Sequence, residues 1–474
     1  MSIWGRRKAM DAAHRPGTAT LRRTLGWPHL VALGVGAIVG TGILTLTGVG
    51  AGLAGPGVIL SFVIAGAICA CAALCYAELA TMIPASGSAY TYSYVAIGER
   101  VAWIVGWSLI LEYSVVCSTV AVGWSGYFAG FMQAIGLPLP AALAAGPDAG
   151  GVFNLPAVLI VAAVAGLLLV GTRESATLNA WLVLLKLAAL VMFVVLALPH
   201  FDAANFNPLM PYGFFETVGP DGGKRGVMAA AAIIFFAFYG FDAVSTAAEE
   251  AKDPGRDMTI GIVGSMAACV LIYMAVAAAA LGALPFGDFA GSPEPLAHVL
   301  RSLGQGQAAK IFGIVAIVAL PTVILAFLYG QTRIFFVMAR DGLLPERAGA
   351  VDAKSGVPVV TTVATAAVVA AIAAFLPLGE IAALANAGTL AAFVAVGASV
   401  MILRRTAPDA PRRFRLPAAP LFGWGAILGC LYLFLNLPTG TQLRFLGWNV
   451  IGFLVYVGWA ARHSRTLSRH NDGA

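Results

Sequence analysis

Charge is what this chain has least of: Asp, Glu, Lys and Arg make up 11% of its 474 residues, against 60% hydrophobic ones. Soluble domains carry roughly 25% charged residues, so a water-facing globular surface is excluded, and a mean hydropathy of +0.88 puts the chain in lipid. Histidine is scarce as well. His14, His29, His200, His298, His463 and His470 fall in tails, external loops or at a membrane interface without metal-ligand spacing, so no histidine metal centre is expected. Cys69, Cys71, Cys75, Cys117, Cys269 and Cys430 all lie in apolar segments, which excludes an external disulfide framework. Cys71 and Cys75 share a helical face, but with no His or carboxylate beside them packing is the expected role. No short apolar core with a small-residue cleavage site precedes the first long apolar run, so Met1–Pro28 is not expected to be a removable signal peptide. There is no nucleophile–base cluster and no nucleotide-binding loop. The glycines of Gly34–Gly42 read G-x-G-x-x-x-G within an apolar run, not G-x-G-x-x-G after a strand, and no cofactor is called for.

What the chain has is long apolar runs. Stretches near the ~20 residues needed to cross a bilayer recur twelve times, over 28–52, 57–83, 101–131, 155–171, 177–198, 227–250, 260–283, 308–338, 358–376, 380–403, 421–437 and 446–461. The expected fold class is an all-α polytopic membrane protein with both termini on one side. Lysine and arginine set its polarity, because cytoplasmic loops retain positive charge. With the N-terminus inside, 22 of the 28 basic residues fall in cytoplasmic segments. Five fall outside, namely Lys224, Arg225, Arg301, Lys310 and Arg444, and Lys186 lies within the membrane. The expected location is therefore the cell membrane, with both termini cytoplasmic. The net charge of +6 is dispersed along one face toward anionic lipid, so nucleic acid is not a partner.

Two spans carry interruptions. In span 1 the glycines of Gly34–Gly42 have two readings: Gly36-xxx-Gly40 lets another helix approach closely, or the helix unwinds around Gly40-Thr41-Gly42 and frees backbone amides and carbonyls for a ligand. Span 6 has a matching weak point in Phe235-Phe-Ala-Phe-Tyr-Gly-Phe-Asp242. Depth aligns them. Gly40 lies about 20 Å along a helix from Trp27, and Tyr239 about 18 Å from Val227, entering from opposite sides. By the same measure Glu112 is about 16 Å from Val101, and Lys186 about 15 Å from Ala176. Lys186 stands in the nearly unbroken apolar run Leu178–Pro199, where an ionised side chain costs several kcal/mol unless paired or neutralised, so it is read as functional.

Interrupted helices five spans apart, running in opposite directions, point to an inverted-repeat transporter. The chain resembles the amino acid, polyamine and organocation transporter superfamily, most closely the bacterial relatives of cationic amino acid transporters. The matching stretches are Gly34–Gly42, Tyr76-Ala-Glu-Leu-Ala80 with Pro84-Ala-Ser-Gly-Ser-Ala-Tyr90, Phe235–Glu250, Gln331-Thr-Arg-Ile-Phe-Phe336 and Ala339-Arg-Asp-Gly-Leu-Leu-Pro345. The resemblance implies a LeuT-like 5+5 repeat: a cytoplasmic tail (1–27), a first repeat (28–198), an external connection (199–226), a second repeat (227–403), and a segment with spans 11 and 12 (404–474). It implies a proton-coupled secondary transporter that imports L-amino acids by alternating access. Gly40, Thr41 and Gly42 would bind the substrate carboxylate. Ala237, Phe238 and Gly240 would offer carbonyls to its ammonium group, and Phe236 and Tyr239 would be gate or pocket walls with packing as the alternative. Lys186 would couple transport to protons in the space a cation fills in sodium-driven relatives.

Other residues leave alternatives open. Glu112 suits a proton relay, a contact with a cationic substrate, or a hydrogen bond to unwound backbone, and Asp242 suits the binding site or a backbone cap. Glu78, Glu249 and Glu250 fall near cytoplasmic ends with Arg333 and Arg340 as available partners. Tyr90, Tyr92 and Tyr94 precede Glu99 and Arg100 in a connection expected along the cytoplasmic surface. Pro321 and Gly330 are expected to bend span 8, and spans 11 and 12 to serve packing or association. A cationic amino acid carrier or an exchanger is the alternative function. A channel, which would show charge rings or a carbonyl filter, is the alternative class. Bulky apolar groups around Ala326–Gly330 tilt the substrate toward small or apolar neutral amino acids.

Overall fold

A computed structural model describes residues 7–8, 25–84, 87–170, 176–219, 222–238, 240–248, 251–350 and 358–464. Tyr239, Glu249 and Glu250 lie outside the described residues, as do His14, His470, Arg173 and Lys354. Among the described residues the regular structure is helical apart from a hairpin of two-residue strands, β1 (Thr217–Val218) with β2 (Lys224–Arg225), and an isolated parallel bridge between Leu25 and Ala251. Each of the twelve apolar stretches coincides with helix. Among the described residues nine helical runs are long and apolar enough to cross a membrane, and three shorter ones, Trp27–Ile38, Leu155–Leu169 and Val359–Phe375, occupy the first, fourth and ninth stretches. The chain is a multi-pass membrane protein.

The first stretch is built from three pieces, α1 (Trp27–Ile38), α2 (Thr41–Leu44) and α3 (Leu46–Ala54). It is followed by α4 (Val58–Met82), a short α5 (Ser88–Ala96) and α6 (Glu99–Ala134). The 36 residues of α6 form one helix, about 54 Å long at 1.5 Å per residue, which overruns a ~30 Å hydrocarbon core at both ends. A short α7 (Ala141–Ala144) leads to α8 (Leu155–Val170) and α9 (Ala176–Ala197), and the sixth stretch comprises α10 (Val227–Ile234), a 3-10 turn (Phe235–Phe238) and α11 (Phe241–Thr246). Beyond it run α12 (Pro254–Ala283), the short α13 (Phe286–Phe289) and α14 (Pro295–Ser302), and α15 (Gly306–Arg340). The chain ends with α16 (Val359–Phe375), α17 (Leu378–Thr406), α18 (Ala419–Asn436), α19 (Thr439–Val455) and α20 (Ala461–His463).

Packing holds the broken helices at the centre. α1 lies against α12, α9 and α11, α6 lies between α15 and α17, and α10 rests on α4 and α3. Inside α15, Pro321 has no N–H to give the carbonyl four residues back. That carbonyl, Ile317 O, accepts instead from the Trp124 indole at 2.8 Å, so the lost bond is replaced from a neighbouring helix.

Two expectations are corrected. The α5 segment does not lie on the surface: all of Ser88–Ala96 is buried between α6 and α17. Two of its three tyrosines place their hydroxyls on carboxylates there, Tyr90 on Asp341 and Tyr94 on Glu99. Nor does Glu78 pair with Arg333 or Arg340. It is buried and bound by Arg404 at 2.6 Å and Arg412 at 3.1 Å, and it accepts the Leu416 N–H at 2.9 Å. A carboxylate taking up two guanidinium groups and an amide is satisfied on both oxygens, and it ties the end of α4 to the segment after α17.

Candidate functional site

The first break falls slightly earlier than the glycines suggest. α1 ends at Ile38, Val39 and Gly40 leave the helical conformation, and Thr41 and Gly42 already form the first turn of α2. Thr41 and Gly42 thus stand where a helix has N–H groups without intrahelical partners. In span 6, the tightening to a 3-10 turn at Phe235–Phe238 precedes Gly240, whose φ of +115° and ψ of −20° are left-handed and natural to glycine.

The two breaks touch. A Cβ added to Gly42 would meet the Ala237 Cα at 2.4 Å, and one added to Gly240 would meet the Ala37 carbonyl carbon at 2.8 Å. Each of these glycines therefore admits backbone of the other span, whereas a Cβ on Gly40 of the Gly36-xxx-Gly40 pattern would meet only the Val323 side chain at 3.5 Å. Gly40, Thr41, Gly42, Phe236, Ala237, Phe238 and Gly240 form one buried cluster.

Carbonyls freed near the breaks are claimed by side chains from surrounding helices. Tyr273 of α12 donates to Ile38 O at 2.7 Å, and Tyr127 of α6 donates to Leu44 O at 2.6 Å. The Asn386 amide of α17 donates to Ala232 O at 2.7 Å and Ile233 O at 3.0 Å, at the end of α10. Asp242 takes its capping role here, since its carboxylate accepts the Gly240 N–H at 3.0 Å and the Tyr113 hydroxyl at 3.4 Å. Tyr273, Tyr127 and Asn386 were not singled out from sequence. An asparagine inside the apolar run of span 10 was the visible signal, whereas a tyrosine in a membrane helix gives none.

Lys186 is 4% exposed. Its ammonium donates to Gly36 O of α1 at 3.0 Å and to the Thr322 hydroxyl of α15 at 3.3 Å, joining α9, α1 and α15 just before the first break. Glu112 is 1% exposed and turns toward α17, where a Cβ on Gly388 would lie 3.0 Å from the Glu112 Cβ. Its carboxylate is beside Thr389 and within electrostatic reach of Asp242, yet among the described residues neither oxygen has a hydrogen bond of ordinary geometry. Glu112 therefore stands apart from the contact between the breaks. The hydroxyls of Thr41 and Thr45 are also buried without a partner among the described residues, and both face Gly123 of α6. A cleft of 720 Å³ lined by Gln133, Glu294, His298 and Arg301 opens elsewhere, between α6 and the α13–α14 connection, and touches neither break.

Among the described residues such a site has paired helix breaks, orphaned hydroxyls and a buried amine. Residues 25–461 match the profile of the amino acid permease family. The chain is 44% identical over 469 residues to the branched-chain amino acid permease BcaP of Bacillus subtilis, covering 98% of this chain and 99% of that protein. It is 40% identical over 468 residues to the methylthioribose transporter of the same organism, covering 98% and 99%. With the vacuolar cationic amino acid transporter 2 of Arabidopsis thaliana the identity is 39% over 410 residues, covering 85% of this chain and 63% of that protein. A membrane-spanning bundle with this site and these relatives is a transporter and not an enzyme, and the chain belongs to the amino acid permease family.

Proposed function

We propose that the chain is a proton-coupled secondary transporter that imports neutral L-amino acids across the cell membrane by alternating access between two five-helix repeats. The substrate carboxylate takes the free N–H groups of Thr41 and Gly42 and the Thr41 hydroxyl, where the helix dipole favours an anion. The ammonium group takes carbonyls of Ala237 and Phe238. Gly40 and Gly240 allow backbone to approach the ligand, and Phe236 walls the pocket. Breaks that supply both kinds of backbone group recognise the part every amino acid shares, leaving selectivity to the side-chain pocket. The Bacillus subtilis relative is a branched-chain amino acid permease by name, and together with the apolar residues around Ala326–Gly330 this favours a neutral substrate.

The observation that carries the coupling is the Lys186 ammonium on Gly36 O, two residues before α1 ends. Protonated, the amine holds α1 against α9 and α15. When the proton leaves, the charge-assisted character of that bond is lost and α1 is released to move. Proton binding on one side and release on the other would then drive the cycle. In proteoliposomes an inward proton gradient should stimulate uptake without sodium. Lys186→Ala should abolish that stimulation while substrate binding, read by thermal shift, persists. Sodium-dependent uptake, or unchanged proton stimulation in the variant, would reject the assignment.

A second reading rests on Glu112. A buried carboxylate without a hydrogen-bond partner among the described residues suits a cationic side chain. If arginine and lysine, and not the neutral amino acids, raise the melting temperature in a screen of all twenty, the cationic reading replaces the neutral one.

A further inference from the structure

The corrected position of α5 exposes a second network, outside the transport site. Two of its three tyrosines, Tyr90 and Tyr94, one helical turn apart, each hold a carboxylate from a different element. Tyr90 donates to Asp341 at 2.9 Å, just past the end of α15. Tyr94 donates to Glu99 at 2.8 Å, at the start of α6. The N-terminal segment completes the first half: Lys8 donates through its ammonium to both Asp341 oxygens at 2.9 and 3.0 Å and through its backbone N–H to Tyr94 O at 3.3 Å. The C-terminal end completes the second. Tyr456 donates to the other Glu99 oxygen at 2.9 Å, and Ser464 donates to the oxygen that Tyr94 uses. Between Tyr456 and Ser464 the chain makes a π-helical segment, Tyr456–Ala460, a local widening that is uncommon and recurs at functional sites.

Glu99 is 2% exposed and Ser464 3%, so three hydroxyls on one buried carboxylate form a charge-assisted cluster out of water. The consequence is mechanical. Both ends of the chain are tied to α5, and α5 also touches α11, the second half of span 6, through Ser245 on Ser88 at 2.9 Å. Movement of α11 that carries α5 with it through this bond would have to break or carry the network.

We propose that Glu99 is the hub of a clasp through which the C-terminal end of the chain, outside the ten helices of the two repeats, holds the cytoplasmic face shut. Glu99 is a positioning residue: it touches no substrate and acts on opening through Tyr94 and α5. The inference rests on the alternating-access reading above, and its test needs neither substrate nor proton gradient. Ala247→Cys, buried just past the end of α11 and leaving the Ser245–Ser88 bond in place, reports opening by its rate of alkylation from the cytoplasmic face, measured against the chain without that cysteine. Glu99→Gln should raise the rate roughly tenfold, the factor for losing one hydrogen bond to a charged group. Ser464→Asp, which sets a second carboxylate against Glu99, should do the same, whereas Ser464→Thr should keep the rate low. Adding Ser464→Ala to Glu99→Gln should give no further increase, since both act on one unit. Unchanged alkylation in both Glu99→Gln and Ser464→Asp, or additive effects in the double variant, would overturn the clasp. Proton-stimulated uptake that still depends on Lys186 in these variants would show that coupling stands independently of it.

Discussion

Gly42 and Gly240 are separated by almost two hundred residues and each occupies space that only the other break's backbone can share. At Gly42 the obstacle to any side chain is Ala237 backbone, 2.4 Å from a Cβ, and backbone does not swing aside as a flexible side-chain end would. At Gly240 a branched residue meets both the Ala37 carbonyl and a φ of +115°, a conformation that β-branched residues essentially never adopt. Gly42→Val and Gly240→Val should therefore lower uptake at least tenfold, with protein still present in the membrane and amino-acid-induced thermal stabilisation lost. Folded variants with wild-type affinity would place the substrate elsewhere. The residues legible in the sequence were those whose chemistry conflicts with lipid: Lys186, Glu112, Asp242 and clustered glycine. Tyr273 and Tyr127, which hold the broken carbonyls, were not legible, because tyrosine is ordinary in an apolar helix and only the fold reveals which carbonyl it meets.

Among the elements, the helices were readable because apolar length near the bilayer thickness repeats twelve times, whereas the connections were not. The α5 segment has polar and aromatic residues without a charged face, and its burial depends on Asp341 arriving from a distant position to satisfy Tyr90, and on Glu99 at the start of the next helix turning back to Tyr94. Likewise, that Glu78 pairs with Arg404 and Arg412 and not with the arginines of α15 follows from where the 404–416 segment returns. Pro321 shows how one element depends on another. Trp124→Phe should leave Ile317 O unsatisfied and lower stability by about 1–3 kcal/mol, seen as a reduced melting temperature in detergent. Adding Pro321→Ala restores an N–H in the helix for that carbonyl, so the double variant should regain most of the loss. An additive double variant would mean that the indole and the proline act independently.

Across the whole molecule, the distribution of charge decides the side from which each broken helix enters. If the 22 basic residues assigned to the inner segments face the cytoplasm, then α1 enters from inside and α10 from outside. In either orientation the half-helices meet with opposed directions, as the contact of Gly42 with Ala237 and of Gly240 with Ala37 requires. A reversed chain would place most of its Lys and Arg against the outer leaflet, which the retention of positive charge during insertion opposes. It would also turn the Lys8, Asp341 and Glu99 network outward. An even number of spans predicts that reporters fused after residue 474 and before residue 1 report from the same, cytoplasmic side. A reporter inserted in the 199–226 connection should report from the other. Opposite locations for the two termini would mean that one of the twelve helical stretches does not cross, and the shorter α8 and α16 would be the first to test by glycosylation or labelling of their flanking loops.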